Sequence, residues 1–136
     1  MPKFIYSAAK GIEQQSGSGF QVNDVAVLEE IQALAANGAS AAIEPYGITT
    51  ITHTGAATTA LAAPTSSEPA GVRKVISMIA YSGGGATVIT MTGNGVKLAG
   101  TADLASLSFN AVGETAVLVS NGSQWVHVAG AGVTEG

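Results

Sequence analysis

The chain has 136 residues, a formal net charge of −4 and a charged fraction of only 10%, where ordinary soluble domains carry about 25%. With no basic cluster to neutralise phosphates, nucleic acid is excluded as a partner, and the lack of cysteine excludes disulfides, thiolate nucleophiles and cysteine-type zinc sites. The hydrophobic fraction is 46% and the aromatic fraction 5%, so the apolar content is mostly alanine and small aliphatics, and so little charge points to a surface covered by further copies or by a larger assembly.

The opening Met1-Pro-Lys-Phe-Ile-Tyr6 lacks the long apolar core of a signal peptide or a membrane span, which predicts synthesis in a cytoplasm and no membrane association. Residues 1–22 read as an extended arm. Lys10 to Gly19 is rich in Gly and Ser without sustained periodicity, as a tether is. Lys3 to Ser7 alternates well enough to form a short strand if a partner edge is present. Residues 23–44 read as one short α-helix and a linker. Asn23 or Asp24 can cap it, Val27, Leu28, Ile31, Leu34 and Ala35 make one apolar stripe, and Asn37-Gly38 supplies a left-handed stop.

From residue 45 to 136 the pattern is β. Ile48 and Ile51 lie in a β-branched run, Ala57 to Ala62 is a weaker one, and Pro64 to Gly71 is a turn-rich loop. Val72 to Tyr81 is the best strand, with Lys74, Ile76 and Met78 facing one way and Arg73, Val75 and Ile79 the other, and apolar residues on both faces predict that it is covered on both sides for much of its length. Gly83-Gly-Gly85 and Gly93-Asn-Gly95 read as hairpin turns. Leu104 to Asn110 is a further strand. Val117 to Val128 is a hairpin around Asn121-Gly122, a pair suited to a two-residue type I′ turn because both residues reach positive φ cheaply. Short strands with glycine turns predict an antiparallel β-sandwich or barrel.

Few residues invite chemistry. His53 and His127 need a third ligand, such as Asp103 or Glu114, to hold a metal, and read instead as strand-surface histidines. No Gly-Xaa-Ser-Xaa-Gly elbow positions a serine nucleophile. The glycine clusters lead into β-prone sequence rather than a helix N-terminus, so they are not phosphate loops. Trp125 is a packing residue or, on the alternative reading, an aromatic platform for a sugar. Arg73 and Lys74 face opposite ways, so at least one turns to an inner or intersubunit face, where Asp103 or Glu114 could pair with it; the alternative is that Arg73 lies at the strand's exposed beginning. No catalytic, cofactor-binding or metal-binding residue is assigned, and no cofactor is expected.

Pro69-Ala-Gly-Val-Arg-Lys-Val-Ile76, the glycine turn and strand after it, Leu107-Ser-Phe-Asn-Ala-Val-Gly113, and Val117-Leu-Val-Ser-Asn-Gly-Ser-Gln-Trp-Val-His-Val128 succeed one another in a familiar order. Over about residues 45–130 the chain resembles the C-terminal β-module of small virion proteins of tailed bacteriophages, among them capsid decoration (cement) proteins. The arm and helix fall outside the resemblance. It implies a homotrimer on the exterior of the virion capsid, bound to the phage major capsid protein and stabilising the shell, with no enzymatic activity. The alternative it implies is a tail-fibre, spike or baseplate module that binds a host receptor, through Trp125 and Tyr81.

Overall fold

The computed structural model describes residues 4–7, 11–14, 31–65, 70–92, 96–98, 103–104 and 106–136. Twelve strands make up its regular structure: β1 (Phe4–Ser7), β2 (Gly11–Gln14), β3 (Ile31–Ala39), β4 (Gly47–Ala62), β5 (Arg73–Tyr81), β6 (Thr87–Thr92), β7 (Val96–Leu98), β8 (Asp103–Leu104), β9 (Ser106–Phe109), β10 (Thr115–Ser120), β11 (Trp125–Ala131) and β12 (Thr134–Glu135). β1 and β2 form a two-stranded sheet, so β1 has the partner edge it needs, supplied by part of the stretch expected to be a tether. The other ten strands form one sheet, in the order β12-β9-β6-β4-β5-β10-β11-β7-β8, with β3 also on β4.

The expected helix is not what Ile31 to Ala39 forms. This stretch is a strand, and the β-domain begins at least as early as Ile31 rather than at residue 45. Its burial has period 2: Leu34 and Ala36 are buried, while Ala33, Ala35 and Asn37 are exposed. Alanine favours helix locally, but propensity is a weak preference, and pairing along the long edge of β4 overrides it in favour of the strand. Gly38 does adopt a left-handed φ of 64°, but at a register shift inside β3 instead of at a helix end. Residues 23–30 and most of the arm lie outside the described residues.

The sheet is mixed rather than antiparallel. β3, β5 and β6 all run parallel to β4. Gly83 to Gly85 do not close a hairpin. The chain turns a corner there and continues in the same direction, so β5 and then β6 lie along one edge of β4. β9 and β10 return antiparallel to β6 and β5, broken at Asn110 to Glu114, and β11 and β12 run back along them, broken at Gly132-Val133. The interruptions share one level, and Gly38, Gly83, Gly84, Gly85, Gly113 and Gly132 all take positive φ along it. They bend the sheet along one line.

The bend curls the sheet into a half-barrel. Gln32 Nε2 donates to the Ala42 carbonyl at 2.8 Å although the two residues are ten apart in sequence, and the Glu44 amide donates back to Gln32 Oε1 at 3.0 Å. A straight strand would separate residues that far apart by roughly 33 Å. The pass from Ile31 to Ile43 therefore nearly closes on itself before β4 repeats its course, in parallel, alongside it.

The inner face carries one core, made of Leu34, Ile51, Leu61, Ile76, Met78, Ile89, Leu107, Phe109, Leu118 and Trp125 with smaller neighbours. Both sides of the bend contribute to it. Alternation selects these residues: every second residue of β4 from Gly47 to His53, and again from Ala57 to Leu61, is buried. The alternation expected of β5 holds, and the structure makes the Lys74, Ile76 and Met78 face the buried one, while Ile79 on the opposite face is 56% exposed, so cover is not equal on the two sides. The hairpin of β10 and β11 forms as expected, one residue later. The Asn121 amide donates to the Gln124 carbonyl at 3.0 Å, which places Gly122 and Ser123 at the centre of the turn. The Asn121 carboxamide oxygen accepts from the amides of Ser123 and Gln124, a role its short side chain suits. Among the described residues no helix is long and apolar enough to cross a membrane.

Candidate functional site

The polar side chains with chemical potential face inward and hold the bend. His53 is fully buried on β4 rather than on a strand surface. Its Nε2 lies 3.0 Å from the Gly84 carbonyl, and a carbonyl only accepts, so Nε2 carries the hydrogen. In the neutral ring Nδ1 then accepts from the Thr87 hydroxyl at 2.8 Å. Tyr81 stacks on the ring, with centroids 4.7 Å apart and planes 11° from parallel, and its own hydroxyl donates to the Gly85 carbonyl at 2.7 Å. The Ser82 amide donates to the His53 carbonyl at 2.9 Å. One imidazole thus ties β4 to both ends of the Gly83–Gly85 corner, and neither ring nitrogen is left for a substrate or a metal.

His127 is placed differently. Its Nδ1 donates to Glu135 Oε1 at 2.5 Å, joining β11 to β12. Its Nε2 is buried and has no hydrogen-bond partner among the described residues. It faces Gly130, where an added Cβ would stand 2.7 Å away, so no substrate-sized space adjoins it. The structure does not unite the two histidines, and no group of three metal-ligating side chains occurs among the described residues.

Of the two neighbouring cations, Lys74 is the inward one. It is fully buried and its Nζ donates to the Tyr46 carbonyl at 2.9 Å, while Arg73 is exposed. Glu114, a sequence candidate for pairing with them, instead accepts from the amides of Asn110 and Ala111 and fixes the corner between β9 and β10. Asp103 stands in β8, opposite Lys97. Trp125 is 1% exposed and its Nε1 donates to the Ala62 carbonyl at 2.9 Å. It joins β11 to the far end of β4, so it is no platform for a sugar.

The sequence offers little that would have revealed this network. Glu114 lies four residues after Asn110, but a carboxylate next to a glycine gives no sign that it caps a corner. His53 sits within a threonine-rich run and is flagged only by its parity with Ile51. No protein-family model matches the chain, and no curated protein matches it.

Proposed function

We propose that this chain is a structural virion protein that decorates and stabilises a bacteriophage capsid shell, as a homotrimer bound to the major capsid protein. The observation that carries the reading is where its polar groups are used. His53, Lys74, Glu114 and Trp125 are all buried, and each is engaged in holding the fold. The outer face meanwhile presents Ile79, Val112 and Val128, each more than half exposed. A rigid curled sheet with a poorly charged exterior suits a part that works by covering and being covered. The resemblance over residues 45–130 supplies the shell as the surface to be covered. Binding many copies to the mature shell would stabilise that state by mass action.

The test is the copy number of this chain in purified virions, measured by quantitative mass spectrometry against the major capsid protein. Near parity supports decoration. A few copies per particle move the chain to the tail.

One feature favours a tail-fibre, spike or baseplate module as the second reading. Three parallel passes, β3, β4 and then β5 with β6, stack along one direction, an arrangement that extends by repetition. With Trp125 buried, its receptor contact would come from other residues.

A further inference from the structure

The corner between β9 and β10 carries apolar residues outward. Val112 is 61% exposed, and Asn110, Ala111 and Gly113 around it are exposed as well. The corner is nevertheless held firmly. The Glu114 carboxylate accepts from the amides of Asn110 and Ala111. The Gly113 amide donates to the Met78 carbonyl and the Met78 amide to the Glu114 carbonyl, both at 2.9 Å. A valine on a turn fixed in this way loses little conformational freedom when something covers it, which is what makes an apolar anchor effective.

An uncharged groove lies further along the same bend. Open and of about 410 Å³, it crosses three adjacent strand lines and is lined by Gly38 and Ala39 of β3, Ala56 and Thr58 of β4, and Ala86 and Val88 at the start of β6. None of its lining residues is charged, and none of residues 110–113 is. Contact between the two would bury no unpaired charge, the term that most often makes an interface costly. The chain cannot seat its own valine there, because hydrogen bonds to Met78 fix the corner on the β5 side of the sheet.

We propose that the corner at residues 110–113 of one copy seats Val112 in the groove over β3, β4 and β6 of a second copy. Knob and groove are different surfaces of one chain, so the contact can propagate from copy to copy, closing into a ring where the rotation between copies allows. The inference rests on the self-assembly proposed above, but not on the identity of the shell. It gives a role to Val112, which the fold holds out on a fixed corner.

The experiment compares the full chain with Val112→Asp and Thr58→Glu, both at exposed positions, by analytical ultracentrifugation at matched concentrations. Unfolding curves followed by Trp125 fluorescence check that each variant folds. Each variant is expected to associate at least tenfold more weakly, and an equimolar mixture to regain part of the association, because it unites an intact groove with an intact knob. Since the chain has no cysteine, mixing Val112→Cys with Thr58→Cys under mild oxidation should give a covalent heterodimer in excess of either homodimer. Variants that assemble like the parent, or a cysteine mixture without that excess, overturn the inference and leave the trimer standing. A parent chain that stays monomeric at every concentration overturns both.

Discussion

Gly83 is where the fold can be tested most sharply. Its φ is 82°, and a Cβ built on it would lie 2.1 Å from the Thr54 carbonyl oxygen and 2.7 Å from the Thr54 carbonyl carbon. Gly83→Ala therefore meets two costs. Holding a non-glycine residue in a left-handed conformation costs about 1–2 kcal/mol. Driving the β4 backbone away from the new methyl costs a further 1–3 kcal/mol or so, as overpacking does. The reduced freedom of the unfolded chain returns about 0.4–1 kcal/mol. The net expectation is a destabilisation of roughly 2–4 kcal/mol, or on the order of 10 °C in Tm for a chain of this size.

The neighbouring residue is the control. Gly84 has a φ of 70° and nothing within 4 Å of its built Cβ, so Gly84→Ala meets only the conformational cost, a net of about 1 kcal/mol or less. Both variants can be followed by urea unfolding at one protomer concentration, using the fluorescence of Trp125, the chain's single tryptophan. If Gly83→Ala is no more destabilising than Gly84→Ala, the close approach of the corner to β4 is wrong, and with it the bend as described.

Other contacts can be tested in the same way. Trp125→Ala should cost about 3–5 kcal/mol through its large cavity. Trp125→Phe, followed by circular dichroism, should cost about 1–3 kcal/mol by leaving the Ala62 carbonyl without its indole donor. Glu114→Ala frees two amides at the β9–β10 corner and should cost about 1–3 kcal/mol, whereas Glu114→Gln, which keeps an acceptor oxygen, should cost less than half as much in the same unfolding assay. Gly130→Ala brings a methyl within 2.6 Å of the Thr115 carbonyl and 2.7 Å of His127 Nε2. It should destabilise by about 1–3 kcal/mol, and a crystal structure of the variant should show the His127 ring moved away from Glu135. An undisturbed His127–Glu135 contact in that variant would contradict the packing around Gly130.

Little of the polar network was legible in the sequence, for a reason its residues illustrate. His53 meets Thr87 and Gly84, which are 34 and 31 residues away, and Trp125 meets Ala62, 63 residues away. Spacing rules report neighbours along one helix or strand and carry no information about such pairs. Even the Arg73–Lys74 pair was half readable: alternation requires the two to face apart, yet only the sheet's curl makes the Lys74 side the buried one.

Local sequence is enough for the β character, the alternation of β5 and the hairpin whose second strand opens with Trp125, because these depend on residues that are close along the chain. It also determined where the chain can change direction, since positive φ is cheap chiefly for glycine. The course of the chain beyond each turn was decided by tertiary structure. Gly83 to Gly85 could equally close a hairpin or carry β5 on into β6, and the edge of β4 selects the second. Ile31 to Ala39 is compatible with helix or strand, and the same edge makes it a strand. Parallel pairing joins segments that the chain separates widely. The choice between parallel and antiparallel therefore belongs to the assembled sheet, where hydrogen bonding and burial are shared among strands that no local pattern connects.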